Sequence, residues 1–344
     1  MPRPVLLMLS HSIEEWQQLS LLTDLGYDAW SLGGYIDPER PHSDLRPPLP
    51  HAARHPDLKA AVDALGTPDN LTAAQSHIPD AVLDWLGDDG VICLHHKEER
   101  LWGDWPRLLD WKRGSAGRRI IWRTVGQSVE NNERSATPYR MAGCERVAYS
   151  PREAAIPGYS GHDALIRFWA EPAAEPWAGT TREVIQVSQH LRQRDPFTNW
   201  TYWDSATRDL PRRAIGPGSE VIGGPGKVSH ADMRAALRDS RAFLFTGSQP
   251  ASYTLGLLEA MTAGIPTVSV GASWMRVFPY GPDLFEGHEI APLAFDDPNG
   301  AFHALRRLLR DDDHAAEVSR QTRERAAALF DRATIAAQWK AYLG

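Results

Sequence analysis

Between residues 242 and 270 the chain places one acid, Glu259, close to the start of a short helix, and that combination can hold a nucleotide. The apolar run AFLFT, 242–246, reads as a buried strand, and the turn GSQPAS follows it. The next stretch presents Leu255, Leu258, Ala260 and Met261 at helical spacing, with Glu259 among them. Gly264 and Pro266 stop that helix, and TVSV, 267–270, begins a new strand at once. A helix N-terminus offers free N–H groups and the positive end of the helix dipole, so a phosphate can sit against the backbone of Tyr253, Thr254 and Leu255. Glu259 lies on the second turn from that end, where its carboxylate can accept from a pair of sugar hydroxyls. Phosphate and ribose held together point to a nucleotide.

A diphosphate also needs cations. The loop SQHLRQRD, 188–195, leaves another apolar run and carries Gln189, Arg192 and Arg194. Ligands of parallel sheets bind beyond the C-terminal ends of the strands, and an arginine there can grip phosphate oxygens with two N–H groups. The plainer alternative is two solvated arginines in a polar loop. His95 and His96 end a third apolar run. Neighbours on a strand point to opposite faces, so one of the two at most enters a cleft. Cys93 shares the side of His95, yet no further ligand completes a zinc set, and no metal is expected. His11 and Ser12 follow the first strand, and Arg123, Thr124 and Gln127 follow a later one. All of these could line the cleft from its other wall, although Ser12 also explains itself as a helix cap. Of thirteen tryptophans, Trp16, Trp30, Trp105 and Trp122 could stack on sugar rings, but such residues more often fill cores.

These residues need a frame that brings strand ends together. Residues 4–9 read as a strand, and Ser12 with Glu15 forms a capping box that starts a helix at Ile13. Gly26 ends it, and 27–32 is a second strand, so the chain opens as β–α–β. The turn between, SHSIEEW, has no glycine, whereas a dinucleotide fold needs glycines there for the backbone to approach a pyrophosphate. Residues 33–56 have no period and read as a long loop. Helices are expected over 78–86 and 102–111, and after a Ser128 cap. Strands are expected over 91–94, 119–124, 147–150 and 164–168. The stretch EPAAEPWAGTTRE, 171–183, reads as a linker. A second α/β run follows: strand 183–188, helix 200–208, a strand remnant at 221–222 closed by GGPG, helix 230–239, then the unit around Glu259. An irregular loop at 278–289 and helices over 299–310, 314–330 and 334–343 complete the chain.

The unit around Glu259 resembles the signature of retaining glycosyltransferases of the two-domain GT-B type, in the large family often called group 1 or family 4. Tyr253 takes the aromatic place of that signature and Leu255 its leucine, while Glu259, Ala260, Met261, Gly264 and Pro266 take the later places. Ala251 stands where the family has a first glutamate that touches the donor sugar, and Thr254 where it has a second glycine. In the 188–195 loop, Gln189 falls at the family's arginine and Arg194 at its lysine, with Arg192 as a spare cation. The whole chain also resembles compact glycosyltransferases encoded by phages of high-GC hosts. The resemblance implies an α/β fold of the GT-B type, two Rossmann-like domains facing across a cleft. The first, 1–170, is the acceptor side; 171–182 links it to the nucleotide-sugar domain, 183–330; a last helix, 331–344, crosses back to the first domain.

The function so implied is transfer of a sugar from a UDP- or GDP-sugar, with retention. Donor contacts fall to Gln189, Arg192, Arg194, Tyr253, Thr254, Leu255 and Glu259, and catalytic roles to Arg194 and to His95 or His96, facing the donor sugar and acceptor. A leaving-phosphate oxygen would help to deprotonate the acceptor, with no obligatory cofactor or metal. The acceptor stays open: a glycan, a small molecule, a protein or a modified DNA base. Two other classes stay open as well. One is a nucleotide-sugar-binding protein without catalysis, suggested by Ala251 and Gln189; the other is a GT-B sugar-nucleotide epimerase.

Composition fits such a protein. A chain of 344 residues is comfortable for two cores. Its net charge of −7 argues against bulk-charge binding to DNA. Two cysteines, Cys93 and Cys144, build no disulfide framework and suit a reducing compartment. The N-terminal apolar run is too short for a signal peptide or a membrane span. A cytoplasmic protein is the expectation.

Overall fold

The computed structural model describes residues 2–8, 12–32, 49, 52–65, 77–95, 104–125, 130–172, 175–248, 251, 253–274 and 293–344. Strands and helices alternate through them and build two parallel sheets. The first sheet takes β1 (Pro4–Met8), β2 (Asp28–Ser31), β3 (Val91–His95), β4 (Arg119–Arg123), β5 (Glu145–Ala148) and β6 (Ala164–Leu165), in the order β2-β1-β3-β4-β5-β6. Its helices are α1 (Ser12–Asp24), α2 (Pro56–Asp63), α3 (Asp80–Leu86), α4 (Trp105–Arg113) and α5 (Glu130–Met141). The second sheet takes β7 (Thr181–Val187), β8 (Arg212–Ile215), β9 (Ser240–Phe245), β10 (Thr267–Val270) and β11 (Ala294–Phe295), in the order β11-β10-β9-β7-β8. Its helices are α6 (Trp200–Thr207), α7 (His230–Asp239), α8 (Leu255–Ala263), α9 (Pro298–Arg310) and α10 (Asp312–Phe330), and α11 (Arg332–Leu343) ends the chain. Each sheet is covered on both faces, which is why its strands read as continuous apolar runs rather than alternating ones. No described helix is long and apolar enough to cross a membrane.

Several elements differ from the sequence reading: the strand expected over 164–168 is only Ala164–Leu165, and α1 takes in Ser12 rather than starting at Ile13. The strand beside β7 is Arg212–Ile215, not 221–222; residues Ser219–Ile222 form a 3-10 turn. Only Ala214 and Ile215 of this edge strand are buried, so it lacks the apolar run that announces a strand. Gly218 and Gly223, at φ 82° and 80°, bend the chain on either side of Val221 and Ile222. Likewise Ser150 does not continue β5. It caps a 3-10 helix, Pro151–Ala155, in a capping box with Glu153.

The last helix returns to the beginning of the chain. Ile335, Trp339 and Leu343 of α11 share a core cluster with Val5, Leu7, Trp16 and Ile121. Tyr342 donates to Glu145 at 2.7 Å, and Arg119 donates to the Tyr342 carbonyl at 2.8 Å. The stretch 171–182, in its described part, is strapped along α7 and the start of β9. Ala178 and Gly179 donate their N–H groups to the Arg238 carbonyl, and Trp177 donates to that of Ser240 at 2.8 Å.

A second contact between the sheets is aromatic. Tyr149 and Phe168, from the first half, share a cluster with Tyr253, Leu257 and Phe330. Tyr149 stacks on Phe168 at 5.1 Å between centroids, and its ring lies 4.8 Å from that of Tyr253. Tyr253 is 1% exposed and its hydroxyl donates to the Tyr149 carbonyl at 2.9 Å.

A buried ion network holds Tyr149 from below. Arg146 is wholly buried; it grips Glu133 with two N–H groups and Glu153 with a third at 2.7 Å. The other oxygen of Glu153 accepts from Thr124 Oγ1 at 2.7 Å and from the Tyr149 N–H at 2.8 Å. Replacing Arg146 by methionine strands two carboxylates in the core. The variant is expected to lose about 3–5 kcal/mol of stability, read as a lower urea midpoint at an unchanged slope.

A second buried pair predicts a pH effect. Glu14, on α1, is 2% exposed, and burial pushes its carboxyl up to about 7 despite the lowering pull of Arg123, 3.4 Å away. The folded state then keeps a proton that the unfolded chain releases near 4.5. Stability from this group therefore falls as pH rises through the window from about 4.5 to about 7. Denaturation curves at several pH values should show wild type gaining more stability than Glu14→Gln as the pH is lowered through that window.

Candidate functional site

The C-terminal edge of the second sheet carries the start of α8 and the 188–195 loop. Thr254 caps α8, its hydroxyl accepting from the Leu257 N–H at 3.3 Å. That cap leaves the N–H groups of Leu255 and Gly256 at the helix mouth without an acceptor inside the helix. A Cβ on Gly256 would stand 3.2 Å from the Val187 carbonyl, so the first turn of α8 rests on the end of β7. The 188–195 loop leaves β7 at that point. Two segments far apart in sequence, one carrying arginines and one carrying a helix mouth, thus begin side by side.

A glycine turn backs this loop. A Cβ on Gly216 would come within 2.4 Å of the Ser188 carbonyl, and one on Gly218 within 2.5 Å of His190 Nδ1. The His190 N–H donates to the Pro217 carbonyl at 2.6 Å, and Gln193 Nε2 to the Gly218 carbonyl at 3.0 Å. Underneath lies a buried polar network. Gln186 Nε2 donates to Thr246 Oγ1 at 3.1 Å, Thr246 to the Thr198 carbonyl at 2.7 Å, and Asn199 Nδ2 to the Thr246 carbonyl at 2.7 Å. These bonds tie the ends of β7 and β9 to the start of α6, so the loop above them stands on a rigid floor.

Glu259 is 7% exposed on the second turn of α8. Its Oε1 lies 3.2 Å from His230 Nε2, and its Oε2 lies 3.8 Å from Arg234 Nη1. Gln189, Arg192 and Arg194 are exposed on their loop, with the Arg192 guanidinium 5.7 Å from the Trp200 ring. Leu255, the first helical residue, is half-buried. Tyr253, read only as a backbone donor, also spends its side chain on the contact with Tyr149. Ala251 is buried, and its N–H donates to the Ser248 carbonyl at 2.8 Å.

The first half contributes differently from the sequence reading. Arg123 and Thr124 do not line a cleft. Arg123 is 1% exposed, donates to the Ile166 carbonyl at 2.6 Å and lies over the Phe168 ring at 4.8 Å. Thr124 is spent on Glu153. Position after a strand is no guide where the strand end itself is covered, here by Phe168 and α11. Trp16, Trp30 and Trp122 are core residues, and Trp105 meets Tyr139 edge-on at 4.2 Å. His95 ends β3, in register with Arg123 of β4. His96, His11, Gln127, Ser128, most of the 33–56 loop, the 278–289 loop and the side chains of His95 and Ser12 lie outside the described residues. Cys93 and Cys144 are buried and unbridged. Among the described residues no group of three or more His, Cys, Asp or Glu side chains could hold a metal ion.

His230 and Arg234 are the residues that sequence reasoning missed. A partial signal existed. Ser229 caps α7, accepting from the Asp232 N–H at 3.1 Å, so the cap places His230 and Arg234 one turn apart on one helix face. Nothing local indicated that this face meets α8.

Comparison with known proteins bears on the fold. A family model described as glycosyl transferase-like matches residues 197–341. By sequence, no curated protein matches the chain. Solved structures do. A glycosyltransferase from Rickettsia africae ESF-5 superposes with a TM-score of 0.64 at 10% identity, over 99% of this chain and 98% of that one. Anabaena HepE, solved with UDP and glucose, gives 0.60 at 12% identity over 99% of each chain. S. aureus TarM, solved in a complex that includes UDP, gives 0.57 at 14% identity over 80% of this chain; the match spans only 59% of TarM. At these identities the likeness speaks for architecture alone, and with the two helix-flanked parallel sheets it establishes the GT-B fold.

Proposed function

We propose that this chain is a glycosyltransferase that moves a sugar from a nucleoside diphosphate sugar to an acceptor hydroxyl or amine, with retention at the anomeric carbon. One observation carries the reading: the mouth of α8 rests on the end of β7, so its free N–H groups adjoin the loop of Arg192 and Arg194, and Glu259 stands one turn further in. A helix mouth beside a loop that carries cations suits a nucleoside diphosphate. The match of residues 197–341 to the glycosyl transferase-like family supports the same half. HepE has been solved with UDP-glucose and TarM with UDP, which favours a uridine donor, with GDP-sugar as the other candidate.

In this scheme Glu259 accepts from the ribose hydroxyls. The N–H groups of Leu255 and Gly256 face the diphosphate beside Thr254, with Arg194, Arg192 and Gln189 on the facing loop. The bond from the anomeric carbon to the diphosphate oxygen breaks. The acceptor forms its bond on the same face and passes its proton to the leaving diphosphate. Negative charge grows on that diphosphate, so cations and helix N–H groups aimed at it act mainly in the transition state. No step passes through a metal or a protein nucleophile. Residues 1–170 form the acceptor side, with His95 or His96 toward the reacting sugar, and 183–330 the donor side. The 171–182 segment joins them, and 331–344 returns to the first domain. The acceptor is a glycan, a small molecule, a protein or a modified base.

Ala251 favours a second reading, a donor-binding protein without transfer, because a buried alanine stands where the family sets a sugar-contacting glutamate. A panel of UDP- and GDP-sugars, with nucleotide release followed with and without candidate acceptors, separates the readings. Transfer gives a glycosylated product, and an epimerase gives an isomerised sugar. Binding without either supports the second reading.

Two substitutions test the roles. Glu259→Ala should weaken nucleotide binding by roughly 1.5–3 kcal/mol, the worth of hydrogen bonds to a charged group, with little change in thermal midpoint; unchanged affinity by calorimetry removes Glu259 from the ribose. Arg194→Ala should lower turnover more than it weakens binding of the bare nucleoside. If Arg192→Ala shows that effect instead, the diphosphate sits two residues earlier on the loop.

A further inference from the structure

The acid assigned to the ribose is not left to itself. A glutamate side chain has several rotatable bonds, and presenting both oxygens to a vicinal diol requires that they be fixed. In this fold the fixing comes from another helix. His230, the first residue of α7, places Nε2 3.2 Å from Glu259 Oε1, and Arg234 places Nη1 3.8 Å from Oε2. The two side chains stand one helical turn apart, so one face of α7 addresses both oxygens of one carboxylate. Both remain partly open, at 24% and 21%, against 8% for the glutamate side chain. The carboxylate is therefore gripped at the edge of a site rather than sealed inside a core.

Acceptor capacity decides whether this grip competes with a ligand or serves it. An ionised carboxylate offers about four acceptor sites in all. With Nε2 protonated, His230 takes one on Oε1, and the Arg234 guanidinium approaches Oε2. These two contacts use at most two of the four, so by themselves they orient the acid without saturating it.

We propose that His230 and Arg234 are positioning residues for Glu259, and that they set the preference of the site for nucleotides carrying both ribose hydroxyls. This rests on the nucleotide reading above. It adds α7 to the donor site and assigns a source of sugar selectivity within the nucleotide that neither the loop arginines nor the mouth of α8 can supply, since those address phosphate.

The test is calorimetric. UDP and GDP are titrated into the full chain, each beside its 2′,3′-dideoxy counterpart, and the ribose-over-dideoxyribose affinity ratio is taken for every variant. Wild type should favour the ribonucleotide. His230→Ala should lower the ratio about tenfold, the worth of one such hydrogen bond to a charged group, while affinity for the dideoxynucleotide stays the same. His230→Gln, which keeps one N–H donor, should restore most of the ratio. Arg234→Leu should lower it as well, and it keeps the proposal testable if His230→Ala fails to fold. Equal losses for ribo- and dideoxynucleotide in these variants would mean a merely structural contact and would overturn the inference. So would an unchanged ratio in His230→Ala and Arg234→Leu where Glu259→Ala abolishes it, and that result leaves the glycosyltransferase reading standing. A wild-type chain that binds neither nucleotide overturns both.

Discussion

At Gly256 the first turn of α8 comes up against the end of β7, and the arrangement of the candidate site depends on that approach. With any side chain there, the first turn of α8 would press on the carbonyl of Val187. A hydrogen at this position lets the positive end of the helix reach the strand end where the 188–195 loop begins. A helix dipole acts only over its first turn or so, and a Cβ at this position could be met only by a shift of a few tenths of an ångström between the helix mouth and the strand end. The same logic repeats at Gly216 and Gly218, which admit the loop backbone from the other side. The site is thus a place where three backbone segments crowd together, and polar side chains are added around it.

Among the described residues Tyr253 is a central link between the two halves of the molecule beside this edge. Tyr253 immediately precedes the cap of α8, and its hydroxyl reaches the carbonyl of Tyr149 in the first half. Tyr149 is in turn held by Glu153, and Glu153 by Arg146. A buried ion network is weak evidence for stability, because desolvation offsets much of its attraction. Here it does something more specific. It fixes the turn after β5, and that turn receives the residue next to the helix mouth. Any relative movement of the two sheets has to act on this contact and on α11, whose core residues pack against the first sheet.

Much of the fold was legible in the chain. Buried parallel strands appear as short apolar runs, and helices declare themselves by caps and glycine stops, which are encoded within a few residues. The unit from β9 to β10 is the clearest case. Its strand, turn, cap, helix and terminating Gly264 follow one another in the sequence as they do in space. Edge strands were harder. β8 has only two buried residues, and the more apolar Val221 and Ile222 nearby lie in a 3-10 turn, because Gly218 and Gly223 bend the backbone there.

What the sequence by itself determined was the identity of the local pieces: a helix with an acid on its second turn, a loop with two arginines, and a pattern of strands able to carry both. What only the tertiary structure decided was which pieces touch. Arg123 ends a strand, where a site residue could stand, yet it lies under Phe168 and beside Trp339, since α11 comes back from the far end of the chain to cover that position. His230 carried no mark of function, yet it meets Glu259, since the sheet order sets α7 beside α8. Tyr253 read as a backbone donor, and its ring became the join between the halves. Propensity and capping act over one or two turns of chain. Partnership across helices depends on strand order and on the curvature of a whole sheet, and no window of residues contains that information.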